Sequence, residues 1–185
     1  MKKRLKAFDD LFIDLINGKM KNKYFDIFMY KVTDLGGAIF SSLFSLTLLI
    51  FGNNKVRLIA IEALLVVFIS QIIVKSLKKM LSRERPYVII EKLNTFGIDL
   101  SDYSFPSGHT TASFSIATTL ALNIPTLTYF VFIIAVIIGI SRIYLGVHYP
   151  TDVAAGIILG MGSSLLVHFY LVDVVKYLGA FIGIK

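Results

Sequence analysis

The chain has 185 residues, carries a net charge of +7, and is 56% hydrophobic with a mean hydropathy of +0.75. That lies well above the roughly 45–50% apolar usage of soluble domains, so an ordinary water-soluble protein is excluded and an integral membrane protein is expected. The chain has no cysteine, which removes disulfides, thiolate metal sites and cysteine nucleophiles.

The chain opens with MKKRLK and AFDDLFIDLI. Asp9, Asp10 and Asp14 interrupt what would be the apolar core of a signal sequence, so no cleavage is expected. Apolar residues at 5, 8, 11, 12, 15 and 16 trace one face of a helix with charge opposite, which predicts a helix lying on the membrane surface. Residues 24–34 either form a second interfacial segment or lengthen the first span. Residues 35–51 carry no charge, and residues 58–74 carry only Glu62. Glu62 stands near enough to Arg57 to pair with it or to snorkel at that interface. The uncharged run from Thr110 to Ser141 is too long for one span, and Asn123-Ile124-Pro125 divides it. The fifth span runs from Val153 to Val172, where Gly156 and Gly160 have the small-xxx-small spacing of close helix contact. His168 lies within it and is expected to be a hydrogen-bonded interior residue. The pattern predicts an all-α polytopic membrane helix bundle with five long transmembrane helices plus an N-terminal interfacial or short sixth helix. It reads as a single domain over 1–185, with an amphipathic segment over 1–23 and the bundle over 24–172.

On this topology the polar residues fall into three groups. Lys78, Arg83, Arg85 and Pro86 follow the second span, Pro106, Ser107, Gly108 and His109 start the third, and Ser141, Arg142, His148 and Asp152 bridge the fourth and fifth. A chain that crosses at each span returns all three groups to one face. Lys78, Arg85 and Arg142 lack an excess of acidic neighbours in sequence, and guanidinium forks match phosphate oxygens. An anionic ligand is therefore predicted. Ser107 and Gly108 stand where a helix begins, so their N–H groups are expected to point at that anion. One imidazole can attack phosphorus while another protonates the departing oxygen, and Asp152 is spaced to hold the His148 ring. Asp99 and Asp102, in the loop before the third span, are expected to be solvated.

Lys78 with six residues before Arg85-Pro86, Pro106-Ser107-Gly108-His109, and Ser141-Arg142 with five residues before His148 and three before Asp152 together resemble the three-part signature of the type 2 phosphatidic acid phosphatase superfamily. All eleven fixed positions are filled in order. The resemblance implies that His148 is a nucleophile forming a phosphohistidine, that Asp152 orients it, and that His109 is the general acid. It assigns Lys78, Arg85, Ser107, Gly108 and Arg142 to the phosphoryl oxygens, and Pro86, Pro106 and Ser141 to the framework of the motifs. No metal or other cofactor is implied.

The function expected is hydrolysis of a lipid phosphate or diphosphate, such as undecaprenyl diphosphate, phosphatidylglycerophosphate or phosphatidic acid. A phosphotransferase using the same intermediate is the alternative, followed by a noncatalytic anion transporter. The short chain resembles bacterial undecaprenyl diphosphate phosphatases and phosphatidylglycerophosphate phosphatases. One subset of the family has aspartate where Gly108 stands, which tilts the expectation towards the broader lipid phosphatases. Expected partners are the lipid substrate and membrane lipids, with no nucleic acid, and the sequence assigns no oligomeric state. The protein is expected in the cell membrane. Basic residues concentrate on the active face, which by the positive-inside rule favours the cytoplasm, whereas the resemblance to enzymes of recycled prenyl diphosphate favours the extracytoplasmic side, the placement adopted here.

Overall fold

The structure, a computed structural model, describes residues 2–184. Helix α1 (Lys2–Ile13) continues into a wider helical turn over Asp14–Lys19. Helix α2 (Lys23–Val32) starts at Asn22, whose side chain accepts the Tyr24 N–H at 2.9 Å, and ends in a tight turn over Thr33–Gly36. A 60° bend then leads into α3 (Ala38–Phe51). Helix α4 (Asn54–Leu81) begins at Asn53, which accepts the Val56 N–H at 3.0 Å, and is followed by the single turn α5 (Pro86–Ile89). An irregular stretch leads to α6 (Gly108–Asn123), then α7 (Thr128–Tyr144), α8 (Pro150–Tyr170) and α9 (Val172–Phe181). The described residues contain no strand, as an all-α reading requires.

Length and apolar composition recover part of the five-span expectation. Three helical stretches, Asn54–Ile89, Pro125–Tyr144 and Pro150–Tyr170, are long and apolar enough to cross a membrane, and the bent pair Lys23–Gly36 with Ala38–Phe51 makes up to four. Helix α6, the other expected span, has 16 residues and reaches roughly 24 Å beside a hydrocarbon core of about 30 Å. Helix α6 sits at the centre of the bundle against α4, α7 and α8, and Thr110, Thr111, Ser115 and Thr119 on it are all fully buried. Because its neighbours cover it, it can carry hydroxyls: Ser115 meets Ser70 at 3.3 Å, Thr119 meets Ser164 at 3.3 Å, and Ser164 donates to the Ser115 carbonyl at 2.8 Å.

The N-terminal helix has two faces. Leu5, Phe8, Leu11 and Leu15 point outward, as a surface helix requires, while Asp9, Ile13 and Asn17 form a buried stripe against the bundle. Asn17 donates to the Tyr144 carbonyl at 2.6 Å and the Asn94 carbonyl at 3.0 Å, pinning the chain just before residues 145–149. At the other end of the bundle, Glu62 does not pair with Arg57, which instead donates to the Leu49 carbonyl at 2.9 Å. Glu62 accepts from Asn123 at 2.9 Å and stands 2.9 Å from His168 Nδ1, so both ionisable residues are partnered.

Gly156 and Gly160 set the distance between α8 and α6. A Cβ at Gly156 would stand 2.9 Å from the Ser107 carbonyl oxygen, and one at Gly160 would stand 2.5 Å from the Thr111 carbonyl oxygen and 2.9 Å from Phe114 Cβ. Backbone cannot yield as a flexible side chain does, so Gly160→Ala is expected to cost about 1–3 kcal/mol by overpacking and to lower the unfolding temperature in detergent. Gly162→Ala, with nothing within 4 Å of its added Cβ, is the control and should leave that temperature unchanged or higher. Equal behaviour of the two variants would refute the contact.

Candidate active site

The C-terminal ends of α4 and α7 and the N-terminal ends of α6 and α8 meet at one end of the bundle around a cavity of about 600 Å³. Lys78, Arg85, Gly108, His109, Arg142 and His148 all line it. Ser107 is buried behind Gly108 and Asp152 behind His148, while Pro86, Pro106 and Ser141 are buried in the surrounding framework. Pro86 opens α5, and Ser141 donates to the Ile138 carbonyl at 2.6 Å within α7.

Two of the three cations are held by main chain and by one acid. Lys78, in the last turn of α4, donates to Asp102 at 2.5 Å and to the Tyr103 carbonyl at 2.7 Å. Arg85 donates through Nε to the Asp102 carbonyl at 2.8 Å and through Nη1 to the Val147 carbonyl at 2.8 Å, and its Nη2 pairs with the Asp102 carboxylate. Asp102 is more than half exposed, as a solvated loop acid is expected to be, yet its carboxylate also bridges two of the cations. Burial alone would raise its pKa, but Lys78 and Arg85 hold it below the usual carboxylate range. Asp99 is nearer to expectation: it is exposed and accepts from the Tyr87 hydroxyl at 3.3 Å. Arg142 is 3% exposed and donates to the Thr33 hydroxyl at 2.5 Å, while its Nε has no partner.

The start of α6 differs from expectation in one respect. The Ser107 N–H does not face the cavity, because it donates to the Asp152 carbonyl at 3.1 Å. The Ser107 hydroxyl accepts from Thr110 N at 3.4 Å and from the Thr110 hydroxyl at 2.9 Å, so Ser107 acts as the N-cap. Gly108 lines the cavity and its carbonyl accepts from Gln71 at 3.2 Å. His109 follows, with its Nε2 beside Gly37 after the α2–α3 bend.

His148 sits on the short link between α7 and α8 and is 2% exposed. Its Nε2 is 3.4 Å from an Arg85 nitrogen, and its Nδ1 is 3.5 Å from Asp152 Oδ2, too far for a hydrogen bond. The same Asp152 oxygen accepts the Tyr149 N–H at 2.9 Å. Burial pushes the His148 imidazole well below its ordinary pKa, and Arg142, Arg85 and Lys78 push it further, so the ring is held neutral.

Arg83 stands with the site residues in the sequence, but its partners, like several other contacts, escaped the sequence reading. Arg83 donates to Asp152 at 2.6 Å and to Asp9 at 2.8 Å, which brings α1 to the site. The spacing of Asp9, Ile13 and Asn17 is the signal that could have revealed this buried face of α1. For Thr33 and Gln71, which touch motif residues from distant elements, the sequence carries no such signal.

Fold and site together define an all-helical membrane protein with a cationic, histidine-bearing cavity at one end of its bundle. The chain belongs to the PAP2 superfamily, whose profile matches residues 59–176 and so takes in every motif residue. The crystal structure of Aquifex aeolicus LpxE is similar, with a TM-score of 0.78 and 30% identity over 88% of this chain and 95% of that one. So is the PAP2 type phosphatidylglycerolphosphate phosphatase from Bacillus subtilis, with a TM-score of 0.68 and 26% identity over 94% of this chain and 87% of that one. Among curated relatives, the undecaprenyl-diphosphatase of Sulfolobus acidocaldarius is 35% identical over 64% of this chain, and the bacitracin transport permease protein BcrC of Bacillus licheniformis is 37% identical over 62%. The match spans 57% of the length of each of these two relatives.

Proposed function

We propose that the protein is an integral membrane phosphatase that hydrolyses a lipid phosphate or diphosphate through a phosphohistidine. The observation that carries this reading is the junction of two cavities. The cationic cavity shares Phe40 with an apolar one of about 320 Å³, floored by Ser113, Ala117 and Leu120 of α6 and walled by Phe44 of α3 and Val131 of α7. A charged headgroup and a hydrocarbon tail thus find adjacent surfaces of matching character. Undecaprenyl diphosphate, phosphatidylglycerophosphate and phosphatidic acid all have this build, and the names of the relatives favour the first two.

In the reaction, neutral His148 attacks phosphorus through Nε2, the bond from phosphorus to the leaving oxygen breaks, and that oxygen takes a proton from His109. Water then attacks the phosphohistidine, gives its proton back to His109, and inorganic phosphate leaves as the phosphorus–nitrogen bond breaks. Lys78, Arg85, Arg142 and the N–H groups at the start of α6 stabilise the charge on the equatorial oxygens. Asp152 supports the positive charge that grows on the His148 ring.

Purified protein is expected to release phosphate from at least one of these three lipids. The release should survive excess EDTA and be blocked by vanadate, which can adopt the five-coordinate geometry of the reacting phosphoryl group. On this reading Lys78, Arg85 and Arg142, which line the cavity, supply the charge that a metal would otherwise bring to the phosphoryl oxygens. Loss of activity in EDTA with recovery on adding magnesium would overturn the mechanism, and no release from any of the three lipids would overturn the function.

A further inference from the structure

We propose that Arg83 and Asp9 are positioning residues, a relay through which α1 sets the Asp152 carboxylate against His148. This rests on the reading of His148 as nucleophile and Asp152 as its supporting acid.

Asp152 is wholly buried, and an ionised carboxylate there needs a counter-charge and filled lone pairs. His148 does not provide the charge, because its ring is held neutral and stands 3.5 Å away. Arg83 does, through a bond of 2.6 Å to Oδ1, while the Tyr149 N–H takes Oδ2. Oδ2 is the oxygen facing His148 Nδ1, so the bond from Arg83 fixes which edge of the carboxylate the imidazole meets.

Arg83 is itself fixed on three sides. Its second terminal nitrogen bonds Asp9 at 2.8 Å, its first also reaches the Thr151 hydroxyl at 2.8 Å, and its guanidinium lies 3.8 Å above the Tyr149 ring. A planar fork suits this bridging, which a lysine ammonium cannot reproduce. Asp9 is 2% exposed and bonds directly to the start of α8, accepting the Thr151 N–H at 3.0 Å and its hydroxyl at 2.8 Å. One carboxylate from the surface helix therefore satisfies a first-turn N–H of α8 and holds the arginine that holds the acid. An anchor for α1 alone would not require Arg83 to touch Asp152.

The test is a double-mutant cycle on purified full-length protein, with phosphate release from phosphatidic acid, phosphatidylglycerophosphate and undecaprenyl diphosphate as the readout. Arg83→Gln should lower kcat by roughly 10- to 100-fold, the scale seen when a partner that orients an imidazole is removed, with KM changed by less than about 3-fold. Arg83→Lys should fall between wild type and Arg83→Gln. Asp152→Asn alone should cost about 10³- to 10⁴-fold, and adding Arg83→Gln to it should cost less than about 2-fold more, because the arginine then has nothing to set. Asp9→Asn keeps an acceptor for Thr151 but loses the charge, and provides a second entry to the relay if Arg83 variants fail to fold. It should lower kcat by about 3- to 10-fold in the wild-type background and not in the Asp152→Asn background. Losses that multiply independently would overturn the relay while leaving the reaction intact. Turnover persisting in His148→Ala would overturn the nucleophile and the relay with it.

Discussion

His148→Ala is expected to abolish phosphate release from lipid monophosphate and diphosphate alike, by on the order of 10⁶-fold, the scale on which nucleophile removal acts elsewhere. No other imidazole in the cavity is backed by a buried carboxylate, and His109 stands on the α2–α3 side beside Gly37. Rapid acid quench with phosphorus-labelled lipid should trap a phosphoenzyme in wild type and none in the variant. A labelled His148→Ala protein would sink the choice of nucleophile. The pH dependence follows from the same residue. Because the folded His148 has its pKa pushed well below the ordinary value of about 6.5, it remains neutral and able to attack as the pH falls through that value. The acid limb of kcat/KM due to His148 should thus lie below pH ~6.5. By linkage the unfolded ring binds its proton first, so the stability that His148 contributes is present above about pH 6.5 and declines below it.

The second large effect concerns His109. Its replacement by alanine should slow cleavage of a lipid monophosphate by about 10²- to 10⁴-fold, since the departing alkoxide needs a proton. A lipid diphosphate should suffer less, because its leaving group is a phosphate that departs without one. The comparison is made with phosphatidic acid and undecaprenyl diphosphate under single-turnover conditions, where chemistry rather than product release is read. Equal losses on both lipids would remove His109 from the role of acid.

The bundle's order and the gathering of the motifs at one end were legible because each depends on local signals: uncharged runs, the break at Asn123-Ile124-Pro125, and polar residues at helix ends. The length of α6 was not. Helix α6 passes on paper as half of a long uncharged run, yet it is short and rich in serine and threonine, and what permits this is burial by α4, α7 and α8. Contacts between distant segments were equally invisible. Nothing local to Asp102 says that it bridges Lys78 and Arg85, and nothing local to Ser107 says that its N–H is taken by Asp152. Motif spacing names side chains, whereas the partners of those side chains come from packing.

The bond from the Ser107 N–H to the Asp152 carbonyl joins the second and third motifs through main chain alone. A link of this kind is indifferent to which side chains flank it, and at position 107 only proline would delete the donor. The helix that begins at Gly108 and the helix that begins at Pro150 are thereby held at one fixed offset whatever side chains surround them. The α2–α3 arm reaches the cavity without sharing that joint.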